Sequence, residues 1–346
     1  MTQDQSNAFA ARSVSLTDKV RRLRRPAAYA HAPERVDVVE THMSYVFLAG
    51  DRVYKLKKPV RFAFLDFSTL RARELDSLEE LRLNRRLAPR VYLDAVPLTL
   101  GASGELSIRG EGVVVDWLVE MRRLPEALML DRLLSEGALD ESRVEKLAET
   151  LADFYRRAER STMTPADYAA RFFREHAENR RILTRRDFAL DHGRVPVVLD
   201  RLEAGLVSLQ PLLEERVRSR HVVDGHGDLR PEHICFCDPI AIFDCLEFNR
   251  ELRQVDPFDE LAFLDIECAL LGAPRVGPRL IAALAERLGD APPPALVALY
   301  AACRAVLRAR LAVAHLFDPV PRMPERWEPL AGRYMRLAEQ HLAAIG

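Results

Sequence analysis

Hydrophobic and polar residues alternate over several short stretches in the first third of the chain, a period typical of β-strands. We predict strands at 35–40, 45–49, 52–56, 91–99, 106–108 and 113–121. The Gly50-Asp51 step between the second and third stretches is typical of a hairpin turn. These residues therefore predict a small antiparallel sheet.

One helix is expected within this region, after the third strand, at about Thr69 to Leu87 with Ser68 as its N-cap. Its apolar side is expected at Leu75, Leu78 and Leu83. The arginines of this segment are expected to face solvent, namely Arg71, Arg73, Arg82 and Arg85.

After Pro125 the hydrophobic period becomes helical. Helices are predicted at 127–136, 141–160, 165–185, 197–218, 256–272, 277–288, 293–316 and 324–344, with an island of short strands at 221–245. The pattern predicts an α+β fold: a β-rich lobe at 31–121 and a larger, mainly helical lobe at 122–346. Residues 1–30, which include the basic run 19–25, are expected to form a solvated arm or a short helix packed on the body.

Composition and charge exclude several classes of protein. The 346 residues carry 51 Lys and Arg against 52 Asp and Glu, a formal net charge of −1. This balance argues against a dedicated nucleic-acid binder. No apolar run is long enough for a membrane span and no secretory signal is visible. The five cysteines form no CxxC pair, so we expect a cytoplasmic protein without disulfides.

Ionisable residues concentrate in the β island. His226, Asp228, Arg230, Glu232 and His233 lie within eight positions, followed by Asp244 and Glu247. The Asp238-Pro239 step predicts a turn, so that 234–237 and 240–243 pair as a hairpin and return Asp244 towards Asp228. Buried carboxylates need a counter-charge, and a divalent cation such as Mg²⁺ held together with phosphate oxygens would provide one.

The segment HGDLRPEH at 226–233 resembles the catalytic loop of the protein-kinase-like superfamily. Gly227 is the residue found there in the aminoglycoside phosphotransferase and choline kinase branch, and FDCLEF at 243–248 resembles the metal-binding strand end of that branch. Further stretches, ETHMSYVFLAGDRVYKLKKPVRF, LEELRLNRRLAP and WLVEMRRLP, are similar to bacterial aminoglycoside-phosphotransferase-like proteins. Those proteins are sometimes fused to an ATP-binding domain, which we do not expect within this sequence. The resemblance covers roughly residues 27–272.

This resemblance implies a bilobal protein-kinase-like fold and a role for each matching residue. Asp228 would be the catalytic base, and Arg230 would neutralise charge on the transferring phosphoryl group. Asp244 would hold magnesium. Lys55, or Lys57 two positions later on the same side of the strand, would contact the phosphates of ATP.

Other roles follow from the same resemblance. Glu80, preferred over Glu79, would pair with that lysine. Glu120 and Met121 would connect the lobes and bind adenine through their backbone, and the turn at 41–44 would cover the phosphates.

Two departures from the family pattern affect the predicted site. His233 replaces the asparagine that binds a second magnesium, and it is the second candidate metal residue beside Asp244. Imidazole is a poor magnesium ligand, so His233 could instead donate a hydrogen bond to a phosphate oxygen or to Asp228. The aspartate that braces the catalytic loop is matched by Glu260, with Asp259 adjacent, so either residue is a candidate for that role.

The leading hypothesis is an ATP-dependent phosphotransferase whose acceptor is a hydroxyl of a small polar molecule, such as an amino sugar or an aminoglycoside-like compound. Asp265 and Glu267 would suit a cationic acceptor, or be solvated helix residues. No nucleic-acid or membrane partner is expected, and the oligomeric state stays open. The alternatives are a nucleotide-binding pseudokinase, suggested by His233, a metal-dependent hydrolase and a protein kinase.

Overall fold

The protein is described by a computed structural model over residues 14–62, 65–318 and 320–345. These residues form two compact units. The first unit combines the chain up to Leu128 with Ile234–Arg250, and the second combines Met129–His233 with the chain from Glu251 onward. Whether the lobes divide at residues 121 and 122 stays a prediction.

The first unit is built on an antiparallel sheet. Its described residues before Leu128 form eight strands: β1 Val36–Glu40, β2 Ser44–Ala49, β3 Arg52–Lys57, β4 Arg61–Phe62, β5 Leu65–Asp66, β6 Tyr92–Leu100, β7 Leu106–Ile108 and β8 Val113–Arg122. Six of them form one sheet in the order β1-β2-β3-β8-β6-β7, while β4 pairs with β5. One face of the sheet buries Phe47, Leu56 and Leu118 completely. The predicted antiparallel sheet is confirmed.

A short helix, α1 (Leu16–Leu23), packs on the apolar face of the sheet through Val20 and Leu23. Lys19 of this helix is buried and its Nζ lies 2.8 Å from Asp116 Oδ2. The described part of the basic N-terminal segment is therefore a packed helix. Residues 1–13 of the predicted arm lie outside the described residues.

Helix α2 (Leu70–Asn84) corrects three details of the prediction. Its N-cap is Thr69, whose hydroxyl accepts a hydrogen bond from the Ala72 N–H at 3.1 Å, and Ser68 is not the cap. Leu75 and Leu78 are 49% and 44% exposed, and Arg73 is buried with its Nε 2.7 Å from Asp116 Oδ1. The buried side of α2 carries charged residues because their partners on the sheet are charged.

The predicted helices of the remaining chain are all present, with ends shifted by a few residues. The helices after Leu128 are α3 Leu130–Ser135, α4 Glu141–Arg157, α5 Pro165–Leu183, α6 Arg194–Arg218, α7 Arg250–Arg253, α8 Pro257–Leu270, α9 Val276–Leu288, α10 Pro294–Ala314 and α11 Pro324–Leu342. The short α7 is additional to the prediction, and Glu126–Leu128 forms a 3-10 turn before α3. Within the described residues, no helix has the length and apolar character that crossing a membrane requires.

Three short strands form the predicted island, namely β9 Val223–Asp224, β10 Ile234–Cys235 and β11 Ala241–Ile242, and a fourth, β12 Gln254–Val255, lies beyond its predicted end. β10 pairs with β11 as the predicted hairpin, although over fewer residues than expected. β9 pairs with β12. The hairpin belongs to the first unit, where the Ile242 N–H donates to the Leu87 carbonyl at 3.4 Å.

Candidate active site

Lys55 is the lysine of β3 that joins two candidate site residues. Its Nζ lies 2.9 Å from Glu80 Oε1 and 2.9 Å from Asp244 Oδ1. These three residues come from β3, from α2 and from the segment after β11, so the fold of the first unit brings distant positions together. The Lys55 side chain is 15% exposed.

Glu80 and Glu79 have different environments. The Glu80 side chain is fully buried and contacts both lysines of the strand. Glu79 forms an ion pair with Arg82 on the outer side of the helix. The preference for Glu80 thus agrees with its position, because only a residue on the buried side of α2 reaches β3.

Lys57 lies on the same side of β3 and is enclosed by carboxylates. Its Nζ lies 2.5 Å from Asp76 Oδ2, 2.6 Å from Glu80 Oε2 and 2.7 Å from Glu247 Oε1. The Lys57 side chain is only 1% exposed. Asp76 was not predicted, although it precedes Glu80 by four residues and such pairs share a helix side.

The pKa values of this group follow from burial and from close charges. Burial alone would lower the pKa of Lys55 and Lys57, but the carboxylates around them outweigh it and raise both values. The two ammonium groups lower the pKa of Glu80 in spite of its burial. Burial, with repulsion from Glu80 and Asp76, raises the pKa of Glu247 to about 7.

Asp244 has an unusual backbone conformation, with φ at +60°. A non-glycine residue there is strained by roughly 1–2 kcal/mol, so other contacts must hold it. The Asp244 N–H donates to the Tyr92 hydroxyl at 3.2 Å, and the next N–H, of Cys245, donates to Asn84 Oδ1 at 2.9 Å. The Asp244 side chain is 45% exposed.

In the second unit, Arg230 pairs with the predicted catalytic base. Arg230 Nη2 lies 2.9 Å from Asp228 Oδ2, and Nη1 contacts Glu232. Burial would raise the pKa of Asp228, but the surrounding charges, with Arg230 the strongest, hold it below its ordinary value. Asp228 is therefore ionised near neutral pH, as a residue that accepts a proton must be.

His233 does not have the geometry of a metal ligand. Its Nδ1 donates to the Asp228 carbonyl at 2.8 Å, and its Nε2 lies 3.2 Å from Arg230 Nη2, which donates to it. Both ring nitrogens thus have protein partners, and in this arrangement no lone pair of the imidazole is left for a metal. The structure instead gives His233 a role in holding the loop.

Glu260 braces the 226–233 loop. Its Oε1 accepts the N–H of His226 at 2.8 Å and the N–H of Gly227, while its Oε2 accepts the Tyr155 hydroxyl at 2.8 Å. Gly227 has φ at +88°, a conformation that favours glycine. Asp259, the other candidate, instead binds Arg304 at 2.7 Å.

The remaining predicted residues lie as follows. Glu120 and Met121 lie inside β8, which continues to Arg122 and is paired on both sides by β3 and β6. Both are strand residues whose backbone is part of the sheet, and their role as a connection between lobes stays a prediction. Their contact with adenine stays a prediction, as does a phosphate-covering role for the turn at 41–44.

Asp265 and Glu267 differ from the expectation of solvated helix residues, and their contact with a cationic acceptor stays a prediction. Neither is solvated: each is buried on α8. Glu267 accepts hydrogen bonds from Arg308 Nε at 2.8 Å and from the Tyr334 hydroxyl at 2.7 Å. Burial raises the pKa of Asp265 to about 6. The predicted approach of Asp228 to Asp244 concerns two units and stays a prediction.

Solved structures with a similar fold are small-molecule kinases. A choline/ethanolamine kinase family protein from Mesorhizobium loti matches with a TM-score of 0.55 and 16% identity, over 96% of this chain and 99% of that one. Choline kinase from Cryptosporidium parvum matches with a TM-score of 0.51 and 10% identity, over 94% of this chain and 92% of that one. The GDP complex of aminoglycoside 2'-phosphotransferase-IIIa matches with a TM-score of 0.50 and 14% identity, over 90% of this chain and 93% of that one.

This chain has the protein-kinase-like fold of the choline kinases and aminoglycoside phosphotransferases. The resemblance seen in the sequence is thereby confirmed at the level of the fold. No protein-family model matches the chain.

The chain is also similar to uncharacterised mycobacterial proteins. It is 33% identical over 310 residues to proteins of Mycobacterium tuberculosis and Mycobacterium bovis, covering 89% of this chain. The matched part is 60% of the length of those relatives, so the match spans less than two thirds of them.

Proposed function

We propose that the protein is an ATP-dependent phosphotransferase that moves the γ-phosphoryl group to a hydroxyl of a small polar molecule. The observation that carries this proposal is the ammonium of Lys55, placed between Glu80 and Asp244 at 2.9 Å from each, in a chain with this fold. A buried glutamate fixes the lysine, and the lysine and the exposed aspartate together suit a nucleotide's phosphates and their metal.

The donor set fits magnesium at Asp244. Its carboxylate is a hard oxygen ligand and its side chain is 45% exposed, whereas His233 is occupied by protein partners. Magnesium, when bound, neutralises charge on the β and γ phosphates. Lys55 would bind phosphate oxygens as a point charge, and Glu80 would keep its ammonium in place.

Asp228 would act as the general base of the transfer. The acceptor oxygen bonds to the γ-phosphorus as the bond from phosphorus to the β–γ bridging oxygen breaks. The hydroxyl proton passes to Asp228, and ADP leaves. Arg230, bound to Asp228 at 2.9 Å, would hold the carboxylate in position and offset charge on the phosphoryl group.

A nucleotide-binding pseudokinase with a regulatory role is the second candidate. His233 favours it, because this residue replaces the family's metal-binding asparagine and both its ring nitrogens contact the protein. This candidate predicts nucleotide binding without turnover.

The experiment is an assay of ADP release with Mg²⁺, ATP and a panel of amino sugars and other polyhydroxyl compounds. We expect acceptor-dependent turnover that Asp228→Asn lowers by roughly 10²–10⁴-fold, the usual contribution of a general base. ATP binding should persist in that variant. Asp153→Asn, an exposed aspartate of α4, is the matched control and should behave like the parent protein.

Two outcomes contradict the proposal. Turnover that survives Asp228→Asn unchanged would exclude Asp228 as the base. ATP binding with no turnover for any acceptor would favour the pseudokinase.

A further inference from the structure

Arg308, on α10, is oriented by two neighbours. Its Nε lies 2.8 Å from Glu267 Oε1 and 3.1 Å from the Tyr334 hydroxyl. The guanidinium also lies over the Tyr334 ring, 5.4 Å from its centroid. These contacts use only one of the three guanidinium nitrogens, and they fix the plane of the group.

Arg304, one helical turn earlier on α10, is paired through two of its guanidinium nitrogens and serves as a comparison for Arg308. Its Nε and Nη2 each lie 2.7 Å from an oxygen of Asp259, a bidentate ion pair. In contrast, the two terminal nitrogens of Arg308 contact no acceptor among the described residues. The Arg308 side chain is 21% exposed, so these donors are accessible to a ligand.

The surroundings place Arg308 close to the candidate base. Helix α8 packs against both α10 and the 231–233 turn that ends the catalytic loop. The charge of Arg308 is among those that lower the pKa of Asp228 against the effect of burial, after the charges of Arg230 and His233. Of the nearby acids, Glu267 pairs with Arg308 itself through Nε, and Glu232 pairs with Arg230.

An oriented guanidinium with both terminal nitrogens available binds a carboxylate or a phosphate group through two parallel hydrogen bonds. A cationic acceptor would gain nothing from Arg308 and would be repelled by it. The charge of Arg308 therefore disfavours the amino sugar that the family resemblance implies as acceptor.

We propose that Arg308 binds an oxyanion carried by the acceptor, so that the substrate is a hydroxyl compound bearing a carboxylate or phosphate group. This inference rests on the proposed function for the role of Asp228, but the anion site is independent of ATP.

The test is calorimetric titration of the full chain with inorganic phosphate and, separately, with glycerate at constant ionic strength. We expect saturable binding that Arg308→Gln weakens at least tenfold. Arg308→Lys keeps the positive charge but not the planar guanidinium with its two parallel donors, and it should weaken anion binding less than Arg308→Gln does. Arg201→Gln, at an exposed position of α6, is the matched control and should bind as the parent protein does. The tighter of the two ligands identifies the phosphate or carboxylate source.

A Lys55→Met protein distinguishes this site from the nucleotide site. Phosphate binding that is lost in Lys55→Met but kept in Arg308→Gln would overturn the inference. Equal affinity in all variants, or no saturable binding of either ligand, would also overturn it. If Arg308→Gln does not fold, the comparison of Arg308→Lys with the parent protein decides.

Titration with Mg·ATP separates the two proposals. If ATP fails to bind while phosphate binding depends on Arg308, the phosphotransferase proposal fails and the anion site stands. If Mg·ATP binds and neither phosphate nor glycerate does, the anion site fails and the phosphotransferase proposal stands.

Discussion

At the scale of single residues, the two lysines of β3 differ in accessibility. Lys55 is 15% exposed and Lys57 is 1% exposed, although both point to the same side of the strand. The two-residue period of a strand predicts that shared side. It does not predict which lysine is covered, because that depends on Asp76 and Glu247 from other parts of the chain. We infer that Lys55 meets ligands and that Lys57 holds the structure.

Lys57→Met should therefore destabilise the protein. The change leaves Asp76, Glu80 and Glu247 without their common cation, and breaking a buried ion pair costs about 3–5 kcal/mol. Urea unfolding measures this loss. Lys58→Met is the control, since Lys58 pairs with the partly exposed Glu40 and its removal should cost about 1 kcal/mol or less. Equal losses for the two variants would contradict the structural role of Lys57.

Glu247 should make stability depend on pH. Its pKa is raised from 4.5 to about 7 in the folded protein. Between these values the folded protein keeps a proton that the unfolded chain releases, so this residue's contribution to the free energy of unfolding falls as the pH rises. Above about pH 7 Glu247 is ionised in both the folded and the unfolded state, so its contribution to the free energy of unfolding no longer changes with pH.

Glu247→Gln removes this titration. The free energy of unfolding of the variant, relative to the parent protein, should therefore increase from pH 4.5 to pH 7, as measured by urea titrations at several pH values. Glu149→Gln, at an exposed position of α4, should show no such trend. A flat difference for Glu247→Gln would contradict the buried, protonated state.

At the scale of elements, hydrophobic periodicity located the strands of the six-stranded sheet and the longer helices, missed the short β4, β5, β12 and α7, and misassigned the faces of α2. The pattern assumes that buried positions are apolar. In α2 the buried side includes Arg73, Glu80 and Asn84, which find partners on the sheet and on the segment after β11. A helix that buries polar groups against a polar site cannot be oriented by apolar residues alone.

Glu260 of α8 braces the loop at 226–233, and this can be tested. Glu260→Ala removes the acceptor for the N–H groups of His226 and Gly227 and for the Tyr155 hydroxyl. Buried donors left without an acceptor cost about 1–3 kcal/mol each. We expect lower stability by urea unfolding and a lower kcat, because the loop that carries Asp228 loosens.

Glu260→Gln retains an oxygen acceptor, so its stability to urea and its kcat should each fall less than those of Glu260→Ala. Glu149→Ala serves as the surface control. A Glu260→Ala protein with unchanged stability and unchanged kcat would contradict the bracing role.

At the scale of the whole molecule, the short motifs predicted the fold because they specify a loop and a strand end of one architecture. HGDLRPEH and FDCLEF led to the kinase-like fold that the solved structures confirm. Periodicity and spacing could not find Tyr92 beneath Asp244 or Arg308 against Glu267. These pairs are 152 and 41 residues apart, and no local pattern records such contacts.

The central claim is that Lys55, Glu80 and Asp244 form a nucleotide site, and equilibrium binding of ATP with and without Mg²⁺ tests it most directly. The account predicts saturable, magnesium-dependent binding that Lys55→Met abolishes and that loses its magnesium dependence in Asp244→Asn. Lys146→Met, at an exposed position of α4, should bind as the parent protein does. ATP binding of equal affinity in the parent protein, Lys55→Met and Asp244→Asn would contradict the account.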